Sequence, residues 1–211
     1  MKKRLHDKKA GIAILLALII ISLADVIFRA VAIGEAVLTT SNLGEQLAVI
    51  VLAVTILILT AKGKDRVCYL LYGAWIGYFV LDQMFELPGA IINIISTLAS
   101  GVINPGQAMG LSTNILFVLS SITIIAIGAL LIEYMTDGTI YNRAFNILCV
   151  LTSVMLLCTV VIPVCGAIST GLNEIWLGVF KNLYCLTMVF LFTFFAYDSA
   201  KMQLEKTKLS K

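Results

Sequence analysis

The residues of this chain best suited to chemistry are charged side chains at helical spacing inside apolar segments. Asp25 and Arg29 are four residues apart, and so are Asp82 and Glu86, which places each pair on one face of a helix. Carboxylates at such positions bind a cation or the amino end of a zwitterion, whereas Arg29 and Lys181 bind an anionic end. The predicted substrate-binding residues are Asp25, Arg29, Asp82, Glu86, Asn114, Glu174 and Lys181.

The rise of an α-helix places several of these groups at similar depths. Asp25 and Asp82 each lie fifteen residues after the start of a predicted membrane span, about 22 Å from the cytoplasmic boundary. Lys181 descends from the outer side and reaches about 20 Å from the same boundary. Charged groups of both signs on three helices are therefore predicted to share one layer. Arg29 and Glu86 share a second layer, one turn farther out.

Two interpretations of these charges remain open. An isolated charge at this depth costs about 3 kcal/mol or more, so charges within spans normally pair or face a wet cavity. In the first interpretation, Asp25, Asp82 and Lys181 form an ion network that holds three helices together. In the second, the same groups line an outward-open polar pocket that recognises a small charged solute. A dry, packed layer favours the first interpretation, and a water-accessible cavity favours the second.

The sequence argues against catalysis and against a metal or cofactor. The single histidine, His6, lies in the charged N-terminal segment, which excludes a histidine-based metal site or nucleophile within the membrane. The five cysteines form no Cys-x-x-Cys pair, and no phosphate-binding glycine-rich loop with lysine is present. We therefore predict that the protein is not an enzyme.

The composition predicts an all-α, polytopic membrane protein. Hydrophobic residues make up 60% of the chain and charged residues 13%, about half the charged fraction of a soluble domain. The hydrophobic runs predict one integral membrane domain, 1–211, built as a bundle of six transmembrane helices of about 20 residues each. The predicted spans are about 10–33, 47–61, 67–87, 111–135, 144–165 and 174–197, between a basic N-terminus at 1–9 and a tail at 198–211.

The basic residues are sorted to one side of this six-span pattern. Thirteen of the fifteen Lys and Arg residues lie on the side of both termini, and only Arg29 and Lys181 lie in the other half. Cytoplasmic loops of membrane proteins are enriched in such residues. The pattern predicts a multi-pass protein of the cell membrane with both termini in the cytoplasm.

One connection has an unusual length. The segment from Pro88 to Gly110 is uncharged, and Ile91, Ile95 and Leu98 lie on one face of a helix within it. Because the segment is short and bounded by Pro-Gly pairs, we predict a short interfacial or re-entrant helix between spans three and four. This helix would either cover the bundle at the bilayer surface or act as a lid over an outer vestibule.

Small residues at a spacing of four predict close helix packing. Gly73 with Gly77, and Ala13 with Ala17, suit contacts within the bundle or with another membrane protein. Two functions follow. The first is solute transport or substrate capture, as a small permease or the binding subunit of a larger transporter. The second is a non-catalytic membrane subunit (an assembly, immunity or regulatory protein) that acts by helix–helix contact. The predicted partners are the lipid bilayer, a small charged solute and another membrane protein, but no nucleic acid, since the chain has no basic-aromatic stripe.

Overall fold

The computed structural model describes residues 2–33, 41–101, 105–137, 143–170 and 175–209. These residues form six long α-helices and contain no β-strand, which confirms the predicted all-α class. The helices are α1 (Lys2–Phe28), extended by a π-helical turn (Arg29–Ile33), α2 (Ser41–Ala61), α3 (Asp65–Ala99), α4 (Pro105–Asp137), α5 (Arg143–Thr170) and α6 (Ile175–Leu209).

Each of the six helices contains an apolar stretch long enough to cross a membrane. A hydrocarbon core of about 30 Å requires about 20 helical residues, and each stretch has between 18 and 33. The stretches are Lys9–Val31, Gly44–Ala61, Val67–Ala99, Gly110–Glu133, Arg143–Cys165 and Gly178–Tyr197. Six such helices are typical of a multi-pass membrane protein.

Neighbouring helices run in opposite directions. Near the end of α3, Glu86 contacts Lys181, close to the start of α6. Nearer the beginning of α3, Trp75 contacts Tyr184, farther along α6. Each helix packs against the next one in sequence, and α6 also packs against α1 and α3. The six helices therefore form a closed bundle.

The charged residues inside the bundle collect at one end. We call this the polar end, and its described charged residues are Asp25, Arg29, Glu45, Asp82, Glu86 and Lys181. The opposite end carries the exposed basic residues Lys9, Lys62, Lys64 and Arg143. The fold thus separates the two ends as the sorting of basic residues predicts.

α6 occupies the centre of the bundle. Two thirds of its apolar stretch (67%) is buried, compared with 11 to 33% for the other five stretches. Aromatic residues of α3 pack on it. The Phe79 ring lies edge-on to Tyr184 and Phe192, with centroids 5.7 and 5.8 Å apart. Trp75 Nε1 donates a hydrogen bond of 3.3 Å to the Tyr184 hydroxyl. We call these four side chains the aromatic seam.

Buried polar side chains link the consecutive helices α3, α4, α5 and α6. Without water in the membrane, such groups must find partners inside the protein. The bonds are Ser121 Oγ to Gln83 Oε1 (2.9 Å, α4 to α3), Thr152 Oγ1 to Thr123 Oγ1 (2.7 Å, α5 to α4) and Asn182 Nδ2 to the Thr159 carbonyl (3.2 Å, α6 to α5). These bonds fix the register of each of these helices against the next.

The prediction of a separate short helix after Pro88 is wrong. α3 continues through Pro88 to Ala99 as one helix of 35 residues, so no separate helix follows Pro88. Proline removes one backbone donor, and membrane helices tolerate that loss because nearby groups compensate for it. Ile91, Ile95 and Leu98 are exposed on α3 at 39, 60 and 54%. The apolar face therefore points away from the bundle and does not cover it.

Close helix contacts occur at glycines other than those predicted. A Cβ at Gly128 would lie 2.6 Å from Val80 Cγ2, and one at Gly11 would lie 2.7 Å from Phe194 Cζ. These two glycines let α4 approach α3 and α1 approach α6. By contrast, a Cβ at Gly73 or Gly77 would meet no atom within 4 Å. Of the predicted alanine pair, Ala13 is exposed and Ala17 half-buried.

Candidate functional site: a charged cleft at the polar end

A cleft with a volume of about 390 Å³ opens between α3, α4 and α6 at the polar end. α3 contributes its last turns, α4 its early turns and α6 its first turns, because the alternating helix directions bring these segments together. The cleft is lined by Glu86, Gly89, Ala90, Asn93, Thr113, Asn114, Phe117, Gly178, Lys181 and Asn182. It thus combines one carboxylate, one ammonium and several amide and hydroxyl groups with small residues and one aromatic ring.

The charged centre of the cleft is the pair between Glu86 and Lys181. Lys181 Nζ donates a hydrogen bond of 2.6 Å to Glu86 Oε1. The Lys181 side chain is 49% exposed and the Glu86 side chain 31%. Lys181 Nζ also lies 5.3 Å from the centre of the Phe117 ring, within the range of a cation–π interaction. The ammonium is thus oriented by two groups and still accessible from the cleft.

The second oxygen of Glu86 has no hydrogen-bond partner among the residues that the structure describes. Oε2 is buried and, among the described residues, receives no hydrogen bond. Nearly all buried polar atoms in proteins are hydrogen-bonded, because leaving one unsatisfied costs about 1–3 kcal/mol. Glu86 therefore keeps a strong acceptor beside a cleft that it lines.

The pair between Asp25 and Arg29 is buried. Arg29 Nε donates a hydrogen bond of 3.1 Å to Asp25 Oδ1, and the side chains are 14% and 3% exposed. Neither residue lines the cleft between α3, α4 and α6. Arg29 begins the π-helical turn that extends α1. The bond lies within α1 and its π-helical extension, so it does not by itself form the predicted network between three helices.

Asp82 and Glu45 add negative charge around the Glu86–Lys181 pair. Both are half-buried, and Glu45 lies close enough to Asp82, Glu86, Lys181 and Arg29 to interact with them electrostatically. The charges of the polar end thus come from α1, α2, α3 and α6. The described side chains comprise four acids and two bases.

The structure forms the predicted charged layer only in part. Lys181 interacts with Asp82 at longer range but bonds Glu86, one turn farther out. The reason is that helical rise fixes the level of a Cα atom, whereas a lysine side chain extends its charge away from that level. Asp25 bonds Arg29 of its own helix at the predicted spacing of four.

The two remaining predicted binding residues differ in where they lie. Asn114 lines the cleft, and Glu174 lies outside the described residues. Sequence reasoning missed Asn93, although it lies seven residues after Glu86 and so on the same face of a continuous α3. It also missed Asn182, whose position follows only from the packing of α6 against α5.

Comparisons with protein-family models, with curated proteins and with solved structures find no match. A function for this chain therefore has to be inferred from its geometry. Within the residues that the structure describes, no group of three or more His, Cys, Asp or Glu side chains is placed to hold a metal ion.

The arrangement of the cleft suits binding. A cavity of this volume is at the lower end of the range for small-molecule sites. Its walls offer an ammonium, a carboxylate and several amides as hydrogen-bonding groups. These groups can orient a small polar molecule through several simultaneous hydrogen bonds.

Proposed function

We propose that this protein captures or transports a small charged solute, which it binds in the cleft at the polar end. The observation that carries the proposal is the partly exposed Glu86–Lys181 pair in a cleft of about 390 Å³. In this function the protein acts as a small permease or as the binding subunit of a larger transporter, without chemical change of the solute.

The contrast between the two ion pairs supports this proposal. A pair with only a structural role is expected to be largely buried, because membrane-embedded charge is costly. Asp25 and Arg29 fit that description. Glu86 and Lys181 do not, since both side chains are partly exposed and Glu86 Oε2 has no partner among the described residues. A site that exchanges its own ion pair for a solute has these properties.

The surplus of carboxylates at the polar end supports a solute with a positively charged group. Four acids and two bases among the described side chains give a formal charge of −2. Surplus negative charge around a cleft raises the local concentration of positively charged molecules. A cation or the amino end of a zwitterion is therefore drawn to the cleft.

We further propose that the polar end faces outward and that both termini lie in the cytoplasm of a cell. The basic residues at the opposite end support this orientation, because such residues are retained on the cytoplasmic side. In intact cells, a membrane-impermeant maleimide is expected to label Asn93→Cys and not Lys64→Cys, in a background without the native cysteines. Both positions are exposed, so both should react after the membrane is permeabilised. Labelling of only Lys64→Cys in intact cells contradicts the orientation.

Filling the cleft without changing its charges tests the proposed function. A Cβ at Gly178 meets no atom within 4 Å, so Gly178→Leu adds bulk in open space at a residue that lines the cleft. We expect this variant to fold normally, since leucine favours a helix by about 0.8 kcal/mol relative to glycine. It should lose the small molecules that the wild-type protein retains from native membranes, measured by mass spectrometry after gentle purification.

Gly77→Leu is the matched control for this experiment. Gly77 is exposed on α3, has the same open surroundings and does not line the cleft. It should retain the same small molecules as wild type. If the Gly178→Leu protein retains them as well, the cleft is not the binding site and the proposal fails.

A second candidate function is a non-catalytic membrane subunit that binds another membrane protein through α3. The specific observation is the open space at Gly73 and Gly77, since close approach of a helix needs such a surface. In this case Gly77→Leu, rather than Gly178→Leu, should remove a protein that co-purifies with wild type. Unchanged co-purification in the Gly77→Leu variant counts against this candidate.

A further inference from the structure

Resting on the proposed function, we infer that the cleft binds a zwitterion of the α-amino acid type, with its ammonium on Glu86 and its carboxylate on Lys181. The proposal above requires only a charged solute. The chemistry of the cleft restricts the class further, through its charge balance, its unused hydrogen-bonding capacity and its shape.

The charges that line the cleft favour a zwitterion over a ligand that carries a single charge. Glu86 and Lys181 are the charged groups of its described lining, and they neutralise each other. A simple cation that binds Glu86 would displace Lys181 from its closest partner and leave it only the longer-range attraction of Asp82 and Glu45. A simple anion that binds Lys181 would leave Glu86 among surplus carboxylates. Breaking one side of an ion pair in a poorly solvated site is costly. A zwitterion replaces one ion pair by two, so Glu86 and Lys181 both keep an adjacent partner of opposite charge.

The spacing of the two wall charges fits this class. Lys181 Nζ and Glu86 Oε1 are 2.6 Å apart. In an α-amino acid, one carbon atom separates the ammonium from the carboxylate, so its two charges are also adjacent. Both ligand charges can therefore reach their wall partners after a small separation of the two side chains. Molecules whose charges lie far apart would reach only one partner.

The unused hydrogen-bonding capacity of the pair matches both ends of such a ligand. Glu86 Oε2 is a buried acceptor that has no donor among the described residues. A ligand ammonium brings three donors and can reach this oxygen when Glu86 turns away from Lys181. Lys181 Nζ has three donors, of which Glu86 takes one. The others can bind a carboxylate with the support of amide groups of the lining, such as Asn114. Charge-assisted hydrogen bonds of this kind are the strong ones in proteins.

The rest of the cleft leaves room for the side chain of the ligand. Gly89 and Gly178 line the cleft, and a Cβ at either would meet no atom within 4 Å. Phe117 provides an apolar wall beside Lys181. A ligand held by its two charges can thus place an uncharged side chain between small residues and an aromatic ring.

The test measures which charges of the ligand are required. Purified protein in lipid nanodiscs is first incubated with a radiolabelled pool of the proteinogenic amino acids, and saturable binding is measured by equilibrium dialysis. Each amino acid is then used singly as a competitor. The strongest one is compared with the amine that lacks its carboxylate and with the acid that lacks its ammonium. We expect both analogues to compete at least about tenfold more weakly, since each leaves one charge of the site unpaired.

Variants of the site give an independent readout. Glu86→Gln and Lys181→Met should each weaken amino acid binding by about tenfold or more, and Gly178→Leu should abolish it. Gly77→Leu should leave it unchanged. An amine or an acid that competes as well as the amino acid overturns the assignment, as does the absence of saturable binding from the pool.

The two proposals can fail separately. If wild type but not Gly178→Leu retains a small molecule that carries only one kind of charge, the zwitterion assignment is wrong and the capture function stands. If neither protein retains a small molecule and the pool does not bind, the capture function itself is wrong.

Discussion

Lys181→Ala is expected to abolish solute binding while the amount of folded protein stays close to that of wild type. The side chain is 49% exposed and provides the ammonium of the cleft, so its removal takes away one of the two charges that we propose to hold a solute. Partly exposed ion pairs contribute about 0–1 kcal/mol to stability, so the fold should persist. Binding is measured by retention of small molecules, and folded yield by fluorescence-detected size-exclusion chromatography of a tagged protein.

Two controls distinguish binding from folding in this experiment. Lys64→Ala removes an exposed lysine at the opposite end of the bundle and should change neither quantity. Lys181→Ala combined with Glu86→Gln also removes the carboxylate that the single change leaves without its lysine, and it should fold as well and bind as poorly. If Lys181→Ala fails to accumulate in the membrane, Lys181 is a structural residue and the cleft loses its support as a binding site.

Asp25→Asn is expected to destabilise the protein more than any change in the cleft. Asp25 is 2% exposed, and its carboxylate accepts a hydrogen bond from the Arg29 guanidinium. Removing one partner of a buried ion pair costs about 3 kcal/mol or more, because a charge is left in a poorly solvated site. We expect a lower melting temperature in detergent and a strong decrease in membrane yield.

Removing both charges tests the reason for that loss. Asp25→Asn combined with Arg29→Gln takes away the buried guanidinium charge, so it should recover part of the stability. Asp82→Asn is the comparison on α3, where the half-buried carboxylate should contribute less. An Asp25→Asn protein as stable as wild type rules out a structural role for the buried pair.

Sequence patterns predicted the helical architecture well because the requirements on a membrane helix are simple. Each span must be apolar over about 20 residues, and each charge within a span needs a reason. For this reason the six helices and the charged residues of the polar end could be identified before the fold was known. Glu86, Asn114 and Lys181 were predicted as binding residues, and all three line the cleft.

The details of the site depended on features that a sequence pattern does not contain. Pro88 and Gly89 suggested an interruption, so Asn93 was assigned to a separate helix instead of the α3 face that carries Glu86. Lys181 bonds Glu86 rather than Asp82 because of the direction in which its own long, flexible side chain extends. The close contacts at Gly11 and Gly128 depend on which helices are neighbours, which spacing within one helix cannot reveal.

The aromatic seam has a consequence for how a solute could leave the protein. Trp75, Phe79, Tyr184 and Phe192 are at most 8% exposed, and they fill the space between α3 and α6 on the side of the cleft nearer the basic end. The space between α3 and α6 beyond the cleft is therefore closed. Under the proposed transport function, release of a solute toward the other side of the bilayer would require α3 and α6 to separate, or a second protein that forces them apart.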